Sequence, residues 1–222
     1  MKHRDLREQV VQTARRMSNS GLVTGTSGNV SARTPEGTVL ITPSGLDYGG
    51  LKPHDVVLVT VRGEVVEGSL QPSSETAMHT GIYRARPEVG AVVHTHARFA
   101  TTLACLGWPI PPVHYMLTTL SQDGTVPIAP YATYGSEALV GHAGEALGLS
   151  NKACLLQNHG TIAVGESPGE AFSRTIVLEE MAEIYYRARV AGEPVLLTDE
   201  QVAETASKIA GYGQPKSVPA EG

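Results

Sequence analysis

At 222 residues, with 41% hydrophobic and 5% aromatic side chains, the chain carries enough apolar material for one well-covered core, and a single domain over 1–222 is the simplest organisation. Its 17 Lys and Arg against 22 Asp and Glu give a formal net charge of -5 with no basic run, which argues against nucleic acid as a main partner and leaves any anionic ligand to local groups. The start of the chain, Met1 to Glu8, is charged and no stretch approaches the length of a membrane span, so no membrane partner and a cytoplasmic location are expected.

Residues 4 to 20 place Leu6, Val10, Val11, Ala14 and Met17 on one helical stripe that stops at Gly21. A run dense in small hydroxyl residues and glycine follows, from Thr24 to Ser31, and then two short strands around Pro35 to Gly37, the second ending at Thr42. Val56 to Val61 and Glu64 to Glu67 read as a hairpin turning at Arg62 and Gly63. Ser73 and Ser74 precede a helix that runs to about Arg86, and Val89 to His96 reads as a strand covered on both faces. A helix over about 98–106 leads into an irregular segment, 107–134, interrupted by Pro109, Pro111, Pro112, Pro127 and Pro130.

Residues 135–147 then form a helix, and strands at 153–157 and 161–164 are joined by a tight turn, Asn158-His159-Gly160. Ser167 with Pro168 and Glu170 starts a long helix, and Thr198 with Gln201 caps a last one. From Gly213 on nothing is available to bury, which predicts a mobile tail. Cys105 and Cys154 lie in apolar sequence without paired spacing, which predicts buried thiols rather than a disulfide or a cysteine metal site. Strands and helices alternate irregularly with hairpins among them, an α/β pattern that predicts a mainly antiparallel sheet flanked by helices.

The chemistry centres on His94 and His96. In a strand, side chains at i and i+2 share a face roughly 7 Å apart, so both imidazoles can reach one ion. His159, in its turn beside a strand, is the third candidate; read by itself it is equally a polar residue filling a turn. A catalytic zinc site offers three protein ligands and keeps a position open, which these three histidines match. His3, His54, His79, His114 and His142 lack a partner at ligand spacing and read as surface or satisfied histidines, with His79, four residues after Glu75, held in reserve.

Three clusters can take an anion without a lysine: Thr26-Ser27-Gly28-Asn29, Ser44-Gly45 and Ser73-Ser74 at a helix start. Each is also an ordinary source of turns and caps. Glu75 is open to two readings, a carboxylate serving the helix N-terminus or a general acid/base whose pKa is set by a nearby cation.

Taken in order, Thr26-Ser27-Gly28-Asn29, Thr42-Pro43-Ser44-Gly45, Pro72-Ser73-Ser74-Glu75, His94-Thr95-His96 and Asn158-His159-Gly160 resemble the zinc-dependent class II sugar-phosphate aldolases, over nearly the whole chain. The resemblance implies a three-layer α/β/α fold, Zn2+ held by His94, His96 and His159, and Glu75 as acid/base. It also implies a phosphate site at Thr26, Gly28, Asn29, Ser44, Gly45, Ser73 and Ser74. Tyr115 matches a tyrosine that the branch acting on L-fuculose 1-phosphate supplies from an adjacent subunit of a homotetramer. Tyr212 is placed like a C-terminal tyrosine of the same branch and is a possible substrate contact. The implied activity is reversible cleavage of a ketose 1-phosphate to dihydroxyacetone phosphate and a small aldehyde such as L-lactaldehyde.

An aldolase acting on 5-deoxyribulose 1-phosphate would look almost the same. Related 4-epimerases place aspartate where Glu75 stands, while methylthioribulose-1-phosphate dehydratases and sugar-acid phosphate decarboxylases keep similar histidines. Adducin head domains carry the fold as interaction modules.

Overall fold

The computed structural model describes residues 1–209. Eight strands form one sheet in the order β4-β3-β2-β1-β5-β8-β7-β6, antiparallel at every junction except that of β6 with β7. In chain order these are β1 (Asn29–Arg33), β2 (Val39–Ile41), β3 (Val57–Val59), β4 (Val65–Glu67), β5 (Ala91–Thr95), β6 (Ile128–Ala129), β7 (Ala153–Leu156) and β8 (Gly160–Gly165). Helices α1 (Arg4–Asn19), α3 (Arg98–Leu106) and α5 (Pro168–Ala191) cover one face, while α2 (Thr76–Ala85) and α4 (Glu137–Leu147) cover the other. The result is the three-layer α/β/α arrangement with a mostly antiparallel sheet.

The strand period explains how one sheet serves two cores. On β5, Ala91 and Val93 pack with α1 and α5, whereas Val92 packs with α2 and α4. His94 follows Val92 on the second face and is fully buried. Central position is what makes β5 rigid, since it is hydrogen-bonded to β1 on one side and to β8 on the other.

The capping chemistry read from the sequence is present. Ser167 Oγ accepts the Glu170 N–H at 3.3 Å with Pro168 opening α5, and Thr198 and Gln201 exchange two bonds, at 2.9 and 3.3 Å, at the start of α6 (Asp199–Ile209). Glu170 departs from the simple box, because its Oε2 accepts the Glu166 N–H instead of that of Ser167.

Two expectations are corrected. The segment 107–134 contains β6, a two-residue parallel edge strand flanked by Pro127 and Pro130, which conceal it because a proline-bracketed pair has no readable alternation. Cys105 is exposed while Cys154 is buried, its thiol pushed up to about 12 by burial. On α3 the buried positions are Ala100, Leu103 and Ala104, and Cys105 turns outward although its sequence neighbours are apolar. Among the described residues no helix is long and apolar enough to cross a membrane.

Candidate active site

Register builds the site. Asn29 of β1 lies opposite His94, and His94 lies opposite Ile162 of β8, so the end of β5 is flanked by the loop that enters β1 and the turn that enters β8. His96 stands just past the end of β5, and His159 immediately before Gly160, where β8 begins. Asn158 takes a left-handed φ of 54°, which turns the chain so that His159 faces the other two rings. The three ligand atoms lie within 4.8 Å of one another.

Two glycines allow this approach. A Cβ on Gly160 would stand 2.4 Å from the Thr95 carbonyl oxygen and 2.8 Å from His96 Cδ2. A Cβ on Gly28 would stand 2.7 Å from the His94 carbonyl oxygen, and Gly28 has a φ of 74° as well. The Tyr48 hydroxyl, pushed up to about 12 chiefly by burial, donates to the Gly28 carbonyl oxygen and holds that loop against β5.

The donor set fits a divalent cation. His94 Nδ1 lies 2.8 Å from the Thr161 carbonyl oxygen, an acceptor, so a neutral His94 carries its hydrogen there and turns a bare Nε2 pair inward. That Nε2 is 3.0 Å from His96 Nε2 and 3.1 Å from Glu75 Oε2. Converging electron pairs need a cation between them, and tetrahedral nitrogens about 2.0–2.1 Å from zinc stand roughly 3.3 Å apart. Burial, then repulsion from His94 and His159, push His96 down to about 4, which keeps it a neutral ligand near pH 7.

Glu75 is buried at the N-cap of α2, yet its side chain makes no capping bond. The Ser73 hydroxyl instead accepts the Glu75 N–H at 3.2 Å, and the carboxylate points at the histidines. Oε2 accepts from Asn29 Nδ2 at 2.8 Å, and Oε1 lies 3.2 Å from His159 Nε2 without a hydrogen-bond donor. Burial alone would raise this carboxyl, but positive charge at the His94 ring, whether a proton or the cation that its bare Nε2 would hold, and the contacts from His159, His94 and Asn29 outweigh it and hold the group well below the usual carboxylate range. The carboxylate is thus turned away from the helix N-terminus and toward His94 and His159.

The cleft in front has a volume of about 320 Å³ and is lined largely by hydroxyl, glycine and aromatic residues, with no lysine or arginine among the described residues. Thr26, Gly28, Asn29, Ser44, Gly45, Ser73, Ser74, Glu75, His96 and His159 all line it, so the sequence-predicted clusters converge. The Ser44 and Ser73 loops are stitched together: the Ser44 N–H donates to the Gln71 carbonyl oxygen at 2.9 Å, and the Ser73 N–H to that of Thr42 at 3.1 Å. The cluster members differ in what they have left to offer. Ser27 Oγ closes a turn on Thr24, and the Asn29 amide is engaged with Glu75 and His79.

Tyr115 does not line the cleft; it is 49% exposed, beside His114, which caps the 3-10 turn spanning Tyr115–Thr119. Tyr212 and the expected tail from 213 lie outside the described residues. Sequence reasoning missed Tyr131 and Tyr134, exposed aromatics on the rim of the cleft, whose only signal was their place in a proline-rich loop. His79 is not a fourth ligand: it is fully buried, and both ring nitrogens are taken by Ser31 and Asn29.

The family described as Class II Aldolase and Adducin N-terminal domain matches residues 8–186. A 5-deoxy-D-ribulose 1-phosphate aldolase of Bacillus thuringiensis is 43% identical over 209 residues, 94% of this chain and 97% of that protein. The L-fuculose phosphate aldolase of Escherichia coli K12 is 39% identical over 215 residues, 96% of this chain and 98% of its own. A solved L-fuculose 1-phosphate aldolase superposes with a TM-score of 0.89 at 37% identity, covering 95% of this chain and 98% of that one. With a family match across most of its length and relatives this similar end to end, the chain belongs to the class II aldolase and adducin N-terminal domain family.

Proposed function

We propose that this protein catalyses reversible, metal-dependent aldol cleavage of a ketose 1-phosphate, yielding dihydroxyacetone phosphate and a small aldehyde. The observation that carries the reading is the buried Glu75 carboxylate, 3.1 Å from His94 Nε2 and 3.2 Å from His159 Nε2, in a cleft lined largely by hydroxyls and glycines. His94, His96 and His159 would hold a divalent cation, Zn2+ in this reading, which would supply Lewis-acid polarisation of the substrate carbonyl. The residues of the chain do the rest. Ser44, Gly45, Ser73, Ser74 and Thr26 hold the phosphate, with the start of α2 adding a favourable dipole. In synthesis the Glu75 carboxylate takes a proton from C3 of dihydroxyacetone phosphate, C3 bonds to the aldehyde carbon, and the aldehyde oxygen takes a proton from Tyr115 of a neighbouring copy to become the C4 hydroxyl; cleavage reverses each transfer and starts from protonated Glu75. No Schiff-base lysine is needed, and among the described residues none lines the cleft.

The substrate half that becomes the aldehyde meets Tyr131 and Tyr134 on the rim. Higher identity to the Bacillus enzyme, 43% against 39%, favours a 5-deoxypentulose 1-phosphate over L-fuculose 1-phosphate. A coupled assay for dihydroxyacetone phosphate over both substrates, with and without chelator, decides. Release is expected for at least one, to vanish on complete metal removal, and to return with added Zn2+. Release that survives metal removal overturns the mechanism. Purified protein that binds no divalent metal and cleaves neither substrate would favour an adducin-like interaction module.

Tyr115 enters this proposal from a neighbouring copy in a homotetramer, as the group that handles the C4 hydroxyl proton. Its distance from its own cleft leads to a mixing experiment. Tyr115→Phe and Glu75→Gln homo-oligomers should each be slow, and subunit exchange between them should restore activity, because some sites then unite an intact Glu75 with an intact Tyr115. Exchange without recovery would place Tyr115 outside the reaction.

A further inference from the structure

The ligands and the phosphate clusters leave one buried group of the site unexplained. His79 lies on α2 one turn after Glu75, is fully buried, and touches none of the three ligand histidines through hydrogen bonds. Its Nδ1 is 2.6 Å from Ser31 Oγ and its Nε2 is 2.5 Å from Asn29 Oδ1. Asn29 and Ser31 are i and i+2 on β1, so they share the face that α2 covers, and one imidazole spans them. Asn29 Nδ2 continues to Glu75 Oε2 at 2.8 Å, and on the far side Ser31 Oγ is 2.8 Å from the Tyr83 hydroxyl.

The direction of every bond in this chain follows from Asn29. Its Nδ2, which can only donate, faces Glu75 Oε2, and its Oδ1, which can only accept, faces His79. His79 Nε2 must then carry the hydrogen, which leaves Nδ1 bare and makes Ser31 its donor. The Tyr83 hydroxyl in turn donates to Ser31. Each donor is aimed toward Glu75, in a buried setting where such chains reinforce one another. The two carboxylate oxygens become different: Oε2 is anchored, whereas Oε1 is buried without a hydrogen-bond donor.

From this asymmetry we infer that His79 is a positioning residue that, through Asn29, fixes Oε2 of Glu75 and reserves Oε1 as the oxygen that exchanges the C3 proton. The inference rests on the aldolase reading above for the identity of that proton. It also assigns Asn29 first to the carboxylate rather than to the phosphate.

The test pairs His79→Gln, whose amide N–H can still reach Asn29 Oδ1, with His79→Leu, which offers nothing. With metal content unchanged, His79→Leu should lower kcat by about 10–100-fold, the range for groups that orient a metal-site residue, and leave KM for the ketose 1-phosphate nearly constant. His79→Gln should recover most of the loss. A folded His79→Leu enzyme with unchanged kcat, or a glutamine variant as slow as the leucine one, overturns the inference. An arm independent of turnover is long-range 1H–15N NMR of histidine-labelled protein at neutral pH, which should find His79 as the Nε2–H tautomer. The Nδ1–H tautomer overturns the inference even if the leucine variant does not fold. The expected tautomer in a protein that cleaves no ketose 1-phosphate supports the anchored carboxylate and sinks the aldolase reading alone.

Discussion

Glu75→Gln is expected to cut kcat by about 10²–10⁴-fold, the usual contribution of a positioned acid/base, while metal content and KM stay near those of the parent. The substitution keeps the volume of the side chain, and its amide oxygen can still accept from Asn29 Nδ2, so the anchoring contact at Oε2 has a replacement. What it removes is the ability to take and return a proton beside His159. The three histidines stay in place, because β5 and the Asn158-His159-Gly160 turn hold them without help from Glu75. Turnover, KM and metal by atomic emission on the same preparation check this result. Turnover within tenfold of the parent would remove Glu75 from the chemistry, and loss of metal with turnover would make it a ligand first.

Much of the site was legible because its residues obey short-range rules. His94 and His96 share a face through the strand period, Ser167 and Thr198 announce helix starts, and the hydroxyl-glycine clusters sit in turns whose local chemistry marks them. What sequence could not supply was which of these groups spend their hydrogen bonds on each other. Asn29 reads as one member of an anion cluster, yet its partner His79 is 50 residues away and joins it only when α2 lies on β1. The choice between capping and catalysis at Glu75 likewise depends on a rotamer aimed by residues of β1, β5 and the turn before β8. Tyr115 shows the same limit from the other side, since its own cleft does not contain it and the role proposed for it calls on a second copy of the chain.

Gly160→Ala is expected to cost about 1–3 kcal/mol or more of stability, as overpacking does, and to weaken metal binding out of proportion to that loss. The added methyl meets a backbone oxygen, that of Thr95, at 2.4 Å, and neither partner can swing away by changing rotamer. Either β8 moves from β5 or the turn carrying His159 rotates, and both displace one ligand relative to the other two. Displacements of about 1 Å at a reacting centre can cost on the order of 10²-fold in rate, so turnover should fall further than stability suggests. Gly37→Ala is the control. Gly37 has a φ of 86° with nothing near its missing Cβ, so alanine there brings only the backbone penalty of about 1–2 kcal/mol and should leave metal affinity and kcat unchanged. Chemical denaturation and metal competition on the two variants separate the effects. If Gly160→Ala loses no more metal affinity than Gly37→Ala, close packing at Gly160 serves the fold alone, and the placement of His159 tolerates more movement than the contact between β5 and β8 implies.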